Sequence, residues 1–216
     1  MKQLIIYDLD GTLVDTAEDI AEATNAMLTT LTGNGLPPEE IRQCVGKGLH
    51  DLVRRALKTA DEALVEQGTR LFGEYYGRHL LDHSRLYPSA VETLQYFRGR
   101  TQVVITNKPD PFAKQLLEGL GVERYFASII ATGGAYPKKP DPTAIRQLTT
   151  RMRCAPSDVL MVGDSLIDVE TGRNAGVFTV ILAHGFQDHE DLVAAKPDAL
   201  VADLSEFLAL AQGQGW

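Results

Sequence analysis

Four short stretches of the chain hold residues of the kinds that carry out chemistry. Asp8-Leu9-Asp10-Gly11-Thr12 follows the apolar run Leu4–Tyr7, and Thr106-Asn107 closes the run that begins at Gln102. Lys139-Pro140 comes shortly after a run ending near Ala131, and Gly163-Asp164-Ser165-Leu166-Ile167-Asp168 follows the run Val159–Val162. A single Asp after such a run is ordinarily a turn former or helix cap, and Ser165 is placed to cap a helix. Several carboxylates gathered at neighbouring strand ends are another matter. Their repulsion in a partly dry cleft is costly unless a cation sits among them. A hard divalent ion with oxygen ligands meets that need, and Mg²⁺ is the usual partner of phosphate.

The elements that must position these residues are readable from periodicity. The runs Leu4–Tyr7, Gln102–Thr106, Ser128–Ala131, Val159–Val162 and Phe178–Leu182 are apolar without alternation, as in strands covered on both faces of a parallel sheet. Helical spacing fills the intervals: Val91, Leu94 and Phe97; Phe112, Leu116, Leu117 and Leu120; the segment Pro142–Met152; and the segment after Gly163. Strands alternating with helices predict a doubly wound parallel α/β sheet, whose ligands bind beyond the carboxyl ends of the strands.

From about Asp15 to about Arg85 the strand signal stops. Ile20, Met27, Leu28 and Leu31 fit one helix, Leu49, Leu52, Val53, Ala56 and Leu57 a second, and Leu64, Leu71, Phe72, Tyr75 and His79 a third. The expected organisation is therefore a core of residues 1–15 and 86–216 with an all-helical unit, 16–85, inserted after the first strand. The helices do not resemble one another, which argues against a repeat.

Composition narrows the partners. Lys and Arg number 21 against 29 Asp and Glu, a net charge of −8, so the basic surplus of a nucleic-acid binder is missing. No apolar run approaches the length of a membrane helix, and Asp8 and Asp10 interrupt the first one, so a soluble, cytoplasmic protein without nucleic-acid or membrane partners is expected. Cys44 and Cys154 have no metal-ligand spacing and read as reduced thiols. The five His include no spaced zinc pair, and Gly46-Lys47 lacks the upstream glycine and following Ser or Thr of a P-loop.

Taken together in order and spacing, the four stretches resemble the motifs of the haloacid dehalogenase-like phosphohydrolases, and the resemblance spans essentially the whole chain. It implies that the inserted helices are that family's small cap domain. It further implies that Asp8 is a nucleophile forming an aspartyl-phosphate, and that Asp10 protonates the leaving oxygen and then activates water. Mg²⁺ would be held by Asp8, the Asp10 backbone carbonyl and Asp164, with Asp168 beside them. Gly11, Thr12, Thr106, Asn107 and Lys139 would surround the phosphoryl group, Thr106 and Lys139 also assisting its transfer. Asp at the second acidic position separates ester hydrolysis from the dehalogenases, P-type ATPases and phosphonate-cleaving members, which lack it.

Val45-Gly46-Lys47-Gly48 and the helix after it resemble the cap segment of phosphoglycolate phosphatases. Lys47 is thereby expected to meet a substrate carboxylate, and the substrate to be a small phosphorylated metabolite such as 2-phosphoglycolate. Arg54 and Arg55 read as exposed helix residues. Pyrophosphatase, sugar phosphomutase and a phospho-accepting signalling module remain as alternatives, the last normally shorter and without a cap.

Overall fold

The computed structural model describes residues 1–216. Its elements run β1 (Leu4–Tyr7), β2 (Val14–Asp15), α1 (Ala17–Thr32), α2 (Pro38–Arg42), α3 (Leu49–Leu57), α4 (Glu62–His79), β3 (Arg85–Leu86), α5 (Ala90–Tyr96), β4 (Thr101–Pro109), α6 (Phe112–Gly119) and β5 (Ser128–Thr132). They continue with α7 (Thr143–Met152), β6 (Val159–Gly163), α8 (Leu166–Ala175), β7 (Phe178–Leu182), α9 (His189–Ala195), β8 (Ala199–Val201) and α10 (Leu204–Gln214).

Six strands form one parallel sheet in the order β5-β4-β1-β6-β7-β8. This is the doubly wound α/β fold expected from the apolar runs. Strand β1 lies at its middle, with Leu4 opposite Thr101 on one side and Val159 on the other. Its four residues are all fully buried. Leu4 and Ile6 pack with Val103, Ile105, Val159 and Met161, whereas Ile5 and Tyr7 pack with Val104, Leu160, Val162 and Phe207. Successive side chains thus enter opposite layers, and each such burial contributes roughly 1.5–3 kcal/mol. The strand order reverses at β1, which places the crevice for ligands at the ends of β1, β4 and β6.

The helices α1 to α4 are inserted between β2 and β3, which pair antiparallel through Val14–Leu86 and Asp15–Arg85. Helix α1 buries Ile20, Ala23, Met27 and Leu28 and ends at Gly33 in the left-handed region (φ +78°). Helix α4 is capped by Asp61, which accepts from the amides of Ala63 and Leu64, and it buries Val65, Gly68, Phe72 and Tyr76. A Cβ on Gly68 would lie 2.7 Å from Val53 Cγ1, so glycine lets α3 and α4 approach closely. The inserted helices share one apolar cluster with the sheet.

Three features depart from the sequence reading. The ribbon β2–β3 and strand β8 have two or three residues each, too few for periodicity to register, and the short α2 begins at Pro38, where proline suits a first helical turn. Helices α9 and α10 follow β7 where no periodic signal was read. Strand β4 runs three residues beyond Thr106, because Pro109 still pairs with Thr132. Thr106, Asn107 and Lys108 are consequently strand residues.

Candidate active site

The turn after β1 is built on a single acceptor. The amides of Thr12, Leu13 and Val14 all donate to the Leu9 carbonyl, at 3.0–3.2 Å. Gly11 sits there at φ +80°, and a Cβ would fall 2.3 Å from Asp164 Oδ2. Only glycine lets the β1 turn lie against the carboxylate at the end of β6.

Three carboxylates meet there: ligand oxygens of Asp8, Asp164 and Asp168 lie within 4.8 Å of one another, and all three side chains are buried. Lys139 Nζ joins two of them, 2.8 Å from Asp8 Oδ1 and 2.7 Å from Asp168 Oδ1. Asp164 Oδ1 accepts from Thr12 Oγ1 at 2.8 Å, and its Oδ2 from the Phe186 amide at 2.8 Å. Gly185 permits this packing, since a Cβ would stand 2.2 Å from Asp164.

The charge balance of this cluster is unfavourable as it stands. Burial, opposed by Lys139 and reinforced by Asp168, pushes the Asp8 carboxyl up to about 6. Burial and the adjacent Asp168 and Asp8 push Asp164 well above its ordinary value. Burial alone would depress Lys139, but Asp168 and Asp8 outweigh it and hold its ammonium above the usual lysine range. One ammonium serves three carboxylates, so the oxygen-only donor set fits a hard divalent cation.

The side chains of several expected site residues have partners within the protein. Asp168, expected beside the metal ligands, spends Oδ1 on Lys139 and Oδ2 on Ser165 Oγ (2.7 Å) and the amides of Ser165 and Asp164. It supports the cluster from behind, at the start of α8. Thr12, expected to bind substrate, is fully buried with its hydroxyl committed to Asp164, and Gly11 packs against that same carboxylate. Neither lines the cavity. Asn107 accepts from the Lys139 amide at 2.8 Å and donates to the carbonyls of Lys139 and Gly46, both at 3.0 Å, so its side chain is a joint between elements. Thr106 lines the cavity, and its Oγ1 accepts from the Lys108 amide at 3.1 Å.

The inserted helices cover these strand ends. The loop Val45–Gly48 approaches β4: a Cβ on Gly48 would be 3.2 Å from the Asn107 carbonyl, and Lys138 Nζ donates to the Lys47 carbonyl at 2.9 Å. Lys47 itself lies exposed at the rim. Arg42 of α2 donates to the Gly185 carbonyl, with its guanidinium 5.5 Å from the Phe186 ring centre. Arg54 is half-exposed and pairs with Glu62, whereas Arg55 is exposed and reaches the cavity. The space enclosed between insertion and sheet is a cavity of about 440 Å³, the size of a small-molecule site.

Asp10 belongs to a second polar group that sequence reasoning missed. Its Oδ1 accepts from Thr16 Oγ1 and from Lys108 Nζ, each at 2.8 Å. Lys108 Nζ also donates to Tyr76 Oη of α4 at 2.7 Å. Both Lys108 and Tyr76 are buried. The two adjacent motif carboxylates therefore have different partners, Asp8 the core lysine and Asp10 a lysine shared with the insertion.

No helix is long and apolar enough to cross a membrane, and both cysteines are free thiols. The family model for haloacid dehalogenase-like hydrolases matches residues 5–182. The chain is 36% identical to the phosphoglycolate phosphatase of Vibrio parahaemolyticus over 216 residues, covering 95% of this chain and 94% of that one. It is likewise 36% identical to the phosphoglycolate phosphatase of Nitrosospira multiformis, over 96% of this chain and 95% of the relative. Among solved structures it is similar to a predicted phosphoglycolate phosphatase from Haemophilus somnus, with a TM-score of 0.90, 30% identity, and 97% and 98% of the two chains covered. With this architecture, this carboxylate cluster and these relatives, the chain belongs to the haloacid dehalogenase-like hydrolases.

Proposed function

We propose that this hydrolase is a Mg²⁺-dependent phosphomonoesterase working through an aspartyl-phosphate on Asp8, with 2-phosphoglycolate or a similar small ester as substrate. The observation that carries the reading is the division of labour between Asp8 and Asp10. Asp8 lies against Lys139 in the cluster that calls for a cation, and Asp10 faces the cavity from a separate group. The names of the relatives support the choice of ester.

In this mechanism an Asp8 oxygen attacks phosphorus, the bond from phosphorus to the bridging oxygen breaks, and the departing oxygen takes a proton from Asp10. Asp10, now a carboxylate, removes a proton from the water that attacks the phosphorylated Asp8. That step frees inorganic phosphate and restores both side chains. Lys139 holds Asp8 and balances the charge gathering on the phosphoryl oxygens, and Thr106 offers its hydroxyl to them. Asp8, Asp164 and the Asp10 carbonyl would hold Mg²⁺, which supplies positive charge where carboxylates and phosphate meet. Asp168 keeps Lys139 and the start of α8 in place.

Residues 16–85 act as a cap on the core of 1–15 and 86–216, hinged at the β2–β3 ribbon. Closing it excludes water from the phosphorylated intermediate. The deciding experiment is a panel of small phosphate esters assayed with Mg²⁺ and with chelator. Turnover of 2-phosphoglycolate that needs Mg²⁺ is expected, and activity indifferent to chelation would overturn the assignment.

A further inference from the structure

Four cations line the cavity: Arg42, Lys47, Arg55 and Lys108. Three of them are exposed, and Arg42 is already bonded to the Gly185 carbonyl. Lys108 alone is buried, its side chain 4% exposed. An exposed cation is screened by water and selects weakly, whereas one set in a dry wall selects strongly for an opposite charge. Lys108 Nζ lies against the ring of Tyr76, which packs on Phe72 and Phe112, and all three aromatic residues line the cavity.

Its place along the reaction path is equally specific. Lys108 Nζ touches Asp10, the residue that would serve the bridging oxygen, so whatever hangs from that oxygen lies on the Lys108 side of the cavity. Of the three N–H bonds of its ammonium, one is given to Asp10 and one to Tyr76 Oη, which leaves one uncommitted. Tyr76 brings no charge, so Asp10 is the only carboxylate paired with Lys108. The exposed Asp188 and Asp191 also line the cavity and disfavour an anion near them.

We infer that Lys108, held in place by Tyr76, reads the leaving group, favouring esters that carry a carboxylate one or two carbons from the bridging oxygen over neutral esters of the same shape. This rests on the phosphomonoesterase reading above and adds to it the residue that sets the preference. It also moves that role from Lys47 at the rim to a lysine inside the wall. The cap takes part through Tyr76, so the closed arrangement is the one that discriminates.

The test compares 2-phosphoglycolate with its neutral amide, 2-phosphoglycolamide. In the unaltered enzyme kcat/KM is expected to favour the carboxylate by about 10- to 150-fold, the range of a charge-assisted hydrogen bond. In Lys108→Met this ratio should fall to near one, in Lys108→Arg much of it should return, and in Tyr76→Phe it should shrink in part. A structural or Asp10-positioning role alone would lower both substrates together and leave the ratio unchanged, which would overturn the inference. A second readout avoids turnover: calorimetric binding of 2-phosphoglycolate to Asp8→Asn should weaken about 10-fold or more on adding Lys108→Met, with inorganic phosphate less affected. Equal weakening of both ligands would also overturn it. An unaltered enzyme that hydrolyses both esters equally defeats the Lys108 assignment alone. One that hydrolyses neither defeats the phosphatase reading and this one with it.

Discussion

Asp19 and Ser84 stand 65 residues apart in the chain, yet one carboxylate oxygen of Asp19 accepts both the amide and the hydroxyl of Ser84. The other oxygen accepts from the His83 amide at 2.9 Å. Asp19 is fully buried in the first turn of α1, and Ser84 precedes β3, so the bonds clasp the two ends of the insertion. Asp19→Ala leaves these donors without a partner, two of them on the buried Ser84, at a cost of about 2 kcal/mol or more. For a chain of this size a fall in Tm of about 4–8 °C is expected. An unchanged melting curve would show that the clasp does not hold the insertion.

Asp8→Asn is expected to lose essentially all turnover, because an amide is a poor nucleophile at phosphorus. It should nevertheless melt no lower than the unaltered chain in chelator, since it removes a carboxylate that burial disfavours. Asp10→Asn should behave otherwise, taking phosphate from an activated donor and releasing it slowly. Rapid quench with acid and mass measurement of the Asp8 peptide separates the two. Finding no phosphorylated Asp8 in any variant would favour direct attack by water.

The pH dependence of metal-free stability has a definite sign. Asp8 is held up to about 6 in the folded chain against an ordinary value of 3.8, so the folded state binds this proton more tightly than the unfolded one. Stability in chelator should therefore decline as pH rises from about 4 through about 6, as buried charge appears in the cluster. Mg²⁺ is expected to relieve this, so its stabilising effect should be larger at pH 8 than at pH 5. Melting curves with Mg²⁺ and with chelator at both values test it, and an equal Mg²⁺ effect at both would contradict the cluster as the binding place.

Gly185→Ala is expected to raise the Mg²⁺ concentration needed for half-maximal activity by about 10-fold without altering any charge. The added Cβ would fall 2.2 Å from Asp164, which must then move off its bonds to Thr12 and the Phe186 amide. A variant with an unchanged Mg²⁺ requirement would show that the placing of Asp164 does not matter to the ion.

The core of this molecule was legible because its signals are local. Strands β1, β6 and β7 are short apolar runs ended by Asp or turn residues, and Asp8, Asp10 and Asp164 stand just past the ends of β1 and β6. Asp8, Asp10 and Asp164 could be grouped once the strands were recognised as parallel. The second polar group was not legible for a corresponding reason. Lys108 follows Thr106-Asn107 as an ordinary lysine would, and its partner Tyr76 lies 32 residues away on an inserted helix whose orientation periodicity does not report. The partners of the Thr12 and Asn107 side chains were not legible either. Thr12 lies in the turn after β1 and Asn107 inside β4, and it is the folded chain that brings their side chains to Asp164 and to Lys139 with Gly46.

Asn107 donates through one amide nitrogen to Gly46 in the insertion and to Lys139 in the core. Arg42 to Gly185 and Lys138 to Lys47 are separate stitches along the same seam, each about 1 kcal/mol in strength. If products leave only when this seam parts, the dwell time of phosphate in the enzyme is set by a handful of independent, individually weak fasteners. Single substitutions at those positions could then slow or hasten the catalytic cycle without altering a bond-making step, so the working tempo of the enzyme can drift in evolution while its chemistry stays fixed.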